Sequence, residues 1–381
     1  MAADPPLPPP IAAQLNHLLT YSPLPVKVEQ MWSGCRNGRY CDRFALLIPF
    51  CLDYVKWEVI FNAYHPSAVP DFIFSAEDVG FNPLLEAHER DANVNGLSVM
   101  SPLVDWNYKD PSRLLSLICQ FRDSYINYQK KRAQQVDDER MSFEISTVLA
   151  RKGTEVSVAS FPDRDEVKFA VPIPELEFNK LVTPCPWKQE QKIYLQAFFV
   201  VAKGYAMTPP VPRLKLVSTQ DLKPFLNVED IKLAPWSDQM CMLTYLSDLE
   251  VMLNDQVVEA VAGVAKRRRF IEALSPFFGR PIEADPVFCR RASILGISGV
   301  FSFLVHFSIP LQFPNKQPIL KLESTQHFNF NGLPIVSSPI NDYPWSPRWD
   351  NATMAERIFD FLVEECLNFK KYCNDTIPTA Q

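Results

Sequence analysis

Glycine is scarce in this chain, 11 residues in 381, while proline reaches 34. That balance leaves little room for glycine-rich loops that cradle phosphates and points to many stiff corners. A basic surplus is missing as well. A net charge of −6 and a pI near 5.5 argue against nucleic acid as a partner, because phosphate neutralisation needs Lys and Arg concentrated on one face. No run approaches the roughly 20 apolar residues that span a bilayer, which argues against a membrane. The opening MAADPPLPPP has an acidic residue and neither the basic nor the apolar region of a secretory leader. The nine cysteines are odd in number and include no Cys-x-x-Cys pair, which fits reduced thiols in the cytosol or nucleus rather than a disulfide framework. The five histidines, His17, His65, His88, His306 and His327, form no His-x-His and no His-Glu-x-x-His, so no zinc site is expected. The expectation is a soluble intracellular chain with protein partners, without cofactor or metal.

What is present is a repeated grammar. Lys56 to Phe74 reads KWEVIFNAYHPSAVPDFIF, an alternating apolar strand that runs into Pro66 and Pro70 and then a second short strand. The same order returns at Lys192 to Leu216, with Pro209 and Pro212, and at Phe301 to Leu322, with Pro314 and Pro318. The second proline of each unit is followed at plus two and plus four by apolar pairs: Phe72 with Phe74, Leu214 with Leu216, Leu320 with Leu322. A side-chain period of two puts each pair on one face of a strand, and prolines that cannot donate ladder hydrogen bonds mark the corner before it. Each unit continues to a tryptophan (Trp106, Trp236, and Trp345 with Trp349) and then a helical pattern. Strands first and a helix last predicts an α+β fold of tandem modules, each an antiparallel meander sheet against flanking helices.

In chain order, Ile11, Leu15, Leu18 and Leu19 predict a short N-terminal helix, preceded by a Pro5 to Pro10 tract that reads as a disordered end or a polyproline ligand. Phe44 to Ile48 and Trp57 to Phe61 predict a hairpin. Asp110-Pro111 offers an N-cap and a first-turn proline to a helix carrying Leu114, Ile118 and Phe121. The charged Gln129 to Arg140 stretch predicts a continuous or bent helix between modules. Glu155 to Phe161 and Glu166 to Ile173 flank a turn and predict a second hairpin ahead of a strand at Ile193 to Val201. Ser237 or Asp238 is placed to cap a helix through Leu253, and a separate helix from Asp255 to Phe278 would open the third module. There Val300 to Ile309 is the clearest strand. These signals divide the chain at 1–133, 134–256 and 257–381. Lys266 to Arg269 reads as a solvated helical face, with a nuclear localisation signal or a dock for an acidic partner as functional readings. Cys366 and Cys373 read as a core thiol and a frayed-end thiol.

The order helix, meander, proline corner, irregular segment, tryptophan, helix resembles the ubiquitin-conjugating fold. The third unit carries it most closely, through Phe313-Pro314-x-x-x-Pro318, His327-Phe328-Asn329 and Trp345-Ser346-Pro347. That family places a catalytic cysteine shortly after its histidine and asparagine motif. Here Gly332 leads into Leu333, Pro334 and Ile335, and no cysteine lies between Cys289 and Cys366 or between Cys51 and Cys119. A ubiquitin thioester needs a thiolate, so these modules resemble inactive conjugating-enzyme (UEV) variants. His327 and Asn329 read as structural, or as the remnant of an oxyanion site.

Cys41-Asp42-Arg43-Phe44, Trp57 through Phe74, and Asn341 through Asp350 together resemble the BRE (BRISC complex member 2) family across nearly the whole chain. That resemblance implies a non-catalytic scaffold with UEV-like domains at 1–133 and 257–381 and an RWD/UEV-like domain at 134–256, supporting a JAMM-type zinc deubiquitinase selective for lysine-63-linked chains. It implies as partners the metalloprotease, an Abraxas-type pseudo-enzyme subunit and a MERIT-type subunit with a von Willebrand A-like fold, with ubiquitin as a further candidate. It also implies roles in DNA repair and cytoplasmic signalling, hence a cytoplasmic and nuclear location. Two other readings stand beside it: a stand-alone ubiquitin-binding adaptor, and an active conjugating enzyme using an unexpected cysteine.

Overall fold

The computed structural model describes residues 6–34, 40–75, 77, 78, 80–83, 103, 106–173, 191–203, 210–237 and 240–376. Among these the fold is α+β, with three antiparallel sheets and five α-helices. The chain divides into two compact units. The first comprises Met1–Pro172, Tyr194–Val217 and Leu233–Tyr245; the second comprises Ile173–Ile193, Ser218–Lys232 and Leu246–Gln381.

In the first unit, helix α1 (Pro9–Tyr21) precedes a meander of β1 (Lys27–Trp32), β2 (Arg43–Phe50), β3 (Asp53–Ile60) and β4 (Asp71–Ile73), closed by α2 (Arg113–Ala133). The predicted hairpin is β2–β3, in register from Arg43 opposite Ile60 to Phe50 opposite Asp53. Its two-residue turn is Cys51-Leu52, with φ of 50° and 63°. Both sit in the left-handed region a tight hairpin turn requires, at some steric cost to non-glycine residues. Ile11, Leu15 and Leu18 of α1, Phe44, Leu46 and Ile48 of β2, and Leu114, Ile118 and Phe121 of α2 share one buried core. The proline-rich start is anchored at Pro6, whose carbonyl accepts the Cys41 N–H at 3.1 Å, contrary to the expectation of a disordered end there.

The same unit holds α3 (Glu139–Leu149) and a second meander, β5 (Glu155–Ser160), β6 (Arg164–Pro172), β7 (Ile193–Ala202) and β8 (Arg213–Ser218). The Gln129 to Arg140 stretch is two helices, not one. Helix α2 stops at Ala133, Val136 is buried in the link, and Asp138 caps α3 by accepting the Met141 N–H at 2.7 Å. The β2–β3 turn is bonded to β5: the Cys51 N–H donates to a Glu155 carboxylate oxygen at 2.6 Å, and Arg122 pairs with the other.

Helix α4 (Met242–Phe278) replaces the two shorter helices expected there, and the division set between 256 and 257 falls inside it. Asn254 and Asp255 are weak helix formers rather than breakers, and the buried stripe of Leu246, Leu249, Leu253, Val257 and Val264 carries the helix through them. The third sheet runs β9 (Glu283–Ala284), β10 (Arg291–Ser298), β11 (Phe301–Ser308), β12 (Ile319–Phe328) and β13 (Pro334–Val336), followed by α5 (Asn351–Thr376). Phe301, Phe303, Val305 and Phe307 all point into the core, as the alternation predicts.

Candidate functional site

The second proline of each repeated unit stands immediately before a strand and is buried: Pro70 before β4, Pro212 before β8, Pro318 before β12. Without an N–H, proline loses nothing where the ladder has not begun. Pro66 lies half-buried in the turn before Pro70, while Pro209 lies outside the described residues. Trp106 packs on Phe61 with ring centroids 6.1 Å apart, and Trp236 packs edge-on to Phe199 at 6.3 Å. In the third sheet the corner and the tryptophan are bonded. The Trp345 indole N–H donates to the Pro314 carbonyl at 2.9 Å, its ring lies 5.7 Å from Phe313, and the Tyr343 hydroxyl donates to the Pro318 carbonyl. Trp349 is half-buried in the turn ahead of α5.

His327 and Asn329 occupy the end of β12 and the turn into β13. The His327 ring nitrogen Nδ1 lies 2.8 Å from the Ser324 hydroxyl, and the ring meets the edge of Phe301 at 5.6 Å. Asn329 Oδ1 accepts the N–H groups of Asn331 at 2.9 Å and Leu333 at 3.0 Å, an Asx turn completed by Gly332 at φ +74°. The two side chains are thus committed to their own hairpin. Cys373 is buried rather than frayed, hydrogen-bonded to Ser324, and burial pushes its thiol up. Cys366 is buried with its thiol directed at the Val363 carbonyl at 3.1 Å. A thiol whose titration is pushed up by burial, as at Cys373, is a poor nucleophile.

Of the basic run, Lys266, Arg268 and Arg269 are exposed, but Arg267 is buried within the second unit. The solvated-face reading fails at that one residue. Its aliphatic stem continues the apolar stripe of Val264, Phe270, Ile271 and Leu274, which the run of like charges obscures in the sequence.

Sequence reasoning also missed two capping residues. Gln14 of α1 accepts the Leu114 N–H at 2.9 Å with Oε1 and donates from Nε2 to the Asp110 carbonyl. The Asp110 carboxylate accepts from the Ser112 N–H and hydroxyl rather than from α2, so the predicted local cap of α2 is supplied from α1. Glu144 of α3 does the same for α4, accepting the Met242 N–H at 2.9 Å, where Ser237 or Asp238 was expected; Asp238 lies outside the described residues. A signal existed. Ile11, Gln14, Leu15, Leu18 and Met141, Glu144, Ile145, Val148 are buried stripes with identical spacing, each interrupted at the same place by one polar residue.

The described structure is therefore that of an α+β protein built from helix, meander and helix in repetition, with a proline corner in the third sheet and, beyond it, polar residues that serve a turn. The chain belongs to the brain and reproductive organ-expressed protein (BRE) family, whose model matches residues 10–328. It is 29% identical over 348 residues to a Danio rerio protein named "BRISC and BRCA1-A complex member 2", covering 87% of this chain and 85% of that one. A Branchiostoma floridae protein of the same name is 29% identical over 346 residues, 87% of this chain and 84% of the relative.

Proposed function

We propose that this chain is a non-catalytic scaffold subunit of a complex of the BRISC and BRCA1-A type, and that its modules are UEV-like at either end and RWD/UEV-like in the middle. The observation that carries this reading is the pairing of family membership with the state of the third sheet. Relatives of this length and coverage are named as complex members, and the His327 to Asn329 motif is spent on a hairpin, beside the Cys373 thiol that burial pushes up. The proposed complex is a lysine-63-specific deubiquitinase. A JAMM-type metalloprotease supplies the zinc, while Abraxas-type and MERIT-type subunits, and ubiquitin as a further ligand, bind surfaces that these sheets hold in shape. The complex works in cytoplasm and nucleus.

Native affinity purification of the full chain, followed by mass spectrometry and a cleavage assay on lysine-63-linked chains, tests this. A zinc protease recovered in stoichiometric amount, with cleavage by the assembly and none by the isolated chain, is the expected result. A monomer that recovers no partner, or a reducible ubiquitin adduct on the chain in an E1-coupled assay, would overturn it.

A further inference from the structure

Arg290, Arg291 and Lys316 line one open cleft of about 640 Å³ within the second unit, together with Ser308 and Asp285. In a chain of net charge −6, three cations stand there against one carboxylate, and that carboxylate is already engaged. Asp285 Oδ1 accepts the N–H groups of Val287 and Phe288 at 3.0 and 3.1 Å, and Oδ2 accepts the Arg290 N–H at 3.1 Å. These bonds close the loop into β10, which turns through Cys289 at φ 55°, and they fix the backbone of Arg290. The Arg290 side chain is half-buried, and its Nε reaches the Ile309 carbonyl only at 3.4 Å. Among the described residues no carboxylate forms an ion pair with Arg290, Arg291 or Lys316.

Like charges lie close together here. Burial first and the Arg291 charge second push the Arg290 guanidinium down from its ordinary value, and burial and Arg290 do the same to Arg267 behind it, with Asp285 opposing both shifts. A guanidinium cannot relieve such crowding by shedding its proton. An isolated surface cation is satisfied by water, but a half-buried one crowded by two others gains more from an anion. Three cations and one engaged carboxylate leave the cleft about two charges positive, which suits a compact dianion. Ile309 and Ile319 add apolar wall beside it. No aromatic side chain lines the cleft, so a nucleic-acid strand would find no stacking platform.

We infer that this cleft binds a phosphomonoester dianion on an aliphatic carrier, the chemistry shared by a phosphorylated serine or threonine side chain and a small phosphate ester. Arg290 and Arg291 take the phosphoryl oxygens, Lys316 adds a third positive charge, and the carrier lies against Ile309 and Ile319.

The test uses the full chain and isopropyl phosphate, followed by its ³¹P line width at about pH 7.5, where the ester is a dianion. Broadening should saturate in the millimolar range expected for so small a ligand. Isopropyl sulfate, of the same shape with one charge fewer, should need about tenfold more to displace it. Arg291→Gln and Lys316→Gln, both at exposed side chains, should each weaken binding severalfold while the melting temperature holds, and Ser308→Asp, which places a carboxylate in the cleft, should abolish it. Arg269→Gln, exposed and away from the cleft lining, should leave binding unchanged. An acetyl-alanyl-phosphoseryl-alaninamide peptide that displaces isopropyl phosphate at lower concentration than the ester itself identifies a phosphorylated protein side chain as the source; displacement at equal or higher concentration identifies a small ester. The inference is overturned if the line does not broaden, if the sulfate competes as well as the phosphate ester, or if Arg269→Gln weakens binding as much as Arg291→Gln.

Discussion

Gln14 and Leu114 are separated by 100 residues, yet the Gln14 side chain accepts the Leu114 N–H at 2.9 Å and so caps α2. The pairing of Glu144 with Met242 repeats it, across 98 residues and at the same distance. In both, the first helix of a meander supplies the acceptor that starts the helix after it. Caps of this kind fix a helix end to a neighbour as well as to itself, so their loss should loosen packing and helix together.

Gln14→Ala should therefore cost about 1–3 kcal/mol, since it leaves the buried Leu114 N–H without its acceptor. Gln14→Glu keeps the acceptor for Leu114 but removes the donor to Asp110 and should cost more than a conservative surface change. Urea unfolding with the slope held constant reads both. An alanine variant as stable as the parent would show that the cap is energetically idle.

Burial pushes the Glu144 carboxyl above its ordinary range, against the opposing effects of the Met242 N–H and Arg140. The folded state therefore holds this proton more tightly than the unfolded one. Stability from this group is present in acid and declines as pH rises through the folded-state value. Glu144→Gln, which retains an acceptor, should flatten that decline. Denaturant midpoints measured across pH 4 to 8, roughly the window bracketing a raised carboxylate, check it; an unchanged slope in the variant would refute the assignment.

Trp345→Phe removes the N–H donated to Pro314 and keeps most of the ring packing on Phe313. It should cost about 1–2 kcal/mol, and Trp345→Ala about 3–5 kcal/mol. Equal losses for the two would mean that the hydrogen bond, rather than the ring, dominates.

The cysteines should differ sharply toward iodoacetamide. Hydrogen bonds from Thr244 lower the partly exposed Cys241 thiol, whereas burial raises Cys51 to about 12. Native alkylation followed by mass spectrometry should modify Cys241 early and Cys51 only after unfolding, because the thiolate is the reacting species.

Much of the local structure was legible from residue order. A strand such as β11 announces its buried face by strict alternation at Phe301, Phe303, Val305 and Phe307. Pro70, Pro212 and Pro318 mark strand starts because a residue without an N–H has few other places in a sheet. Period and proline geometry act over a few residues, and such signals survive in a string of letters. The absent cysteine near His327 was equally readable.

Tertiary structure alone decided which polar residues lie inside. Gln14 and Glu144 look like interruptions of an apolar stripe until a helix end some 100 residues away supplies the N–H that justifies them. Arg267 looks like one of four solvated cations until the packing of α4 turns it inward, onto two carbonyls and no carboxylate. Cys373 looks terminal until Ser324 and the third sheet cover it. Periodicity says which face of an element is apolar. It is silent about the distant groups that satisfy a buried donor or acceptor, because those are brought near only when the chain has folded.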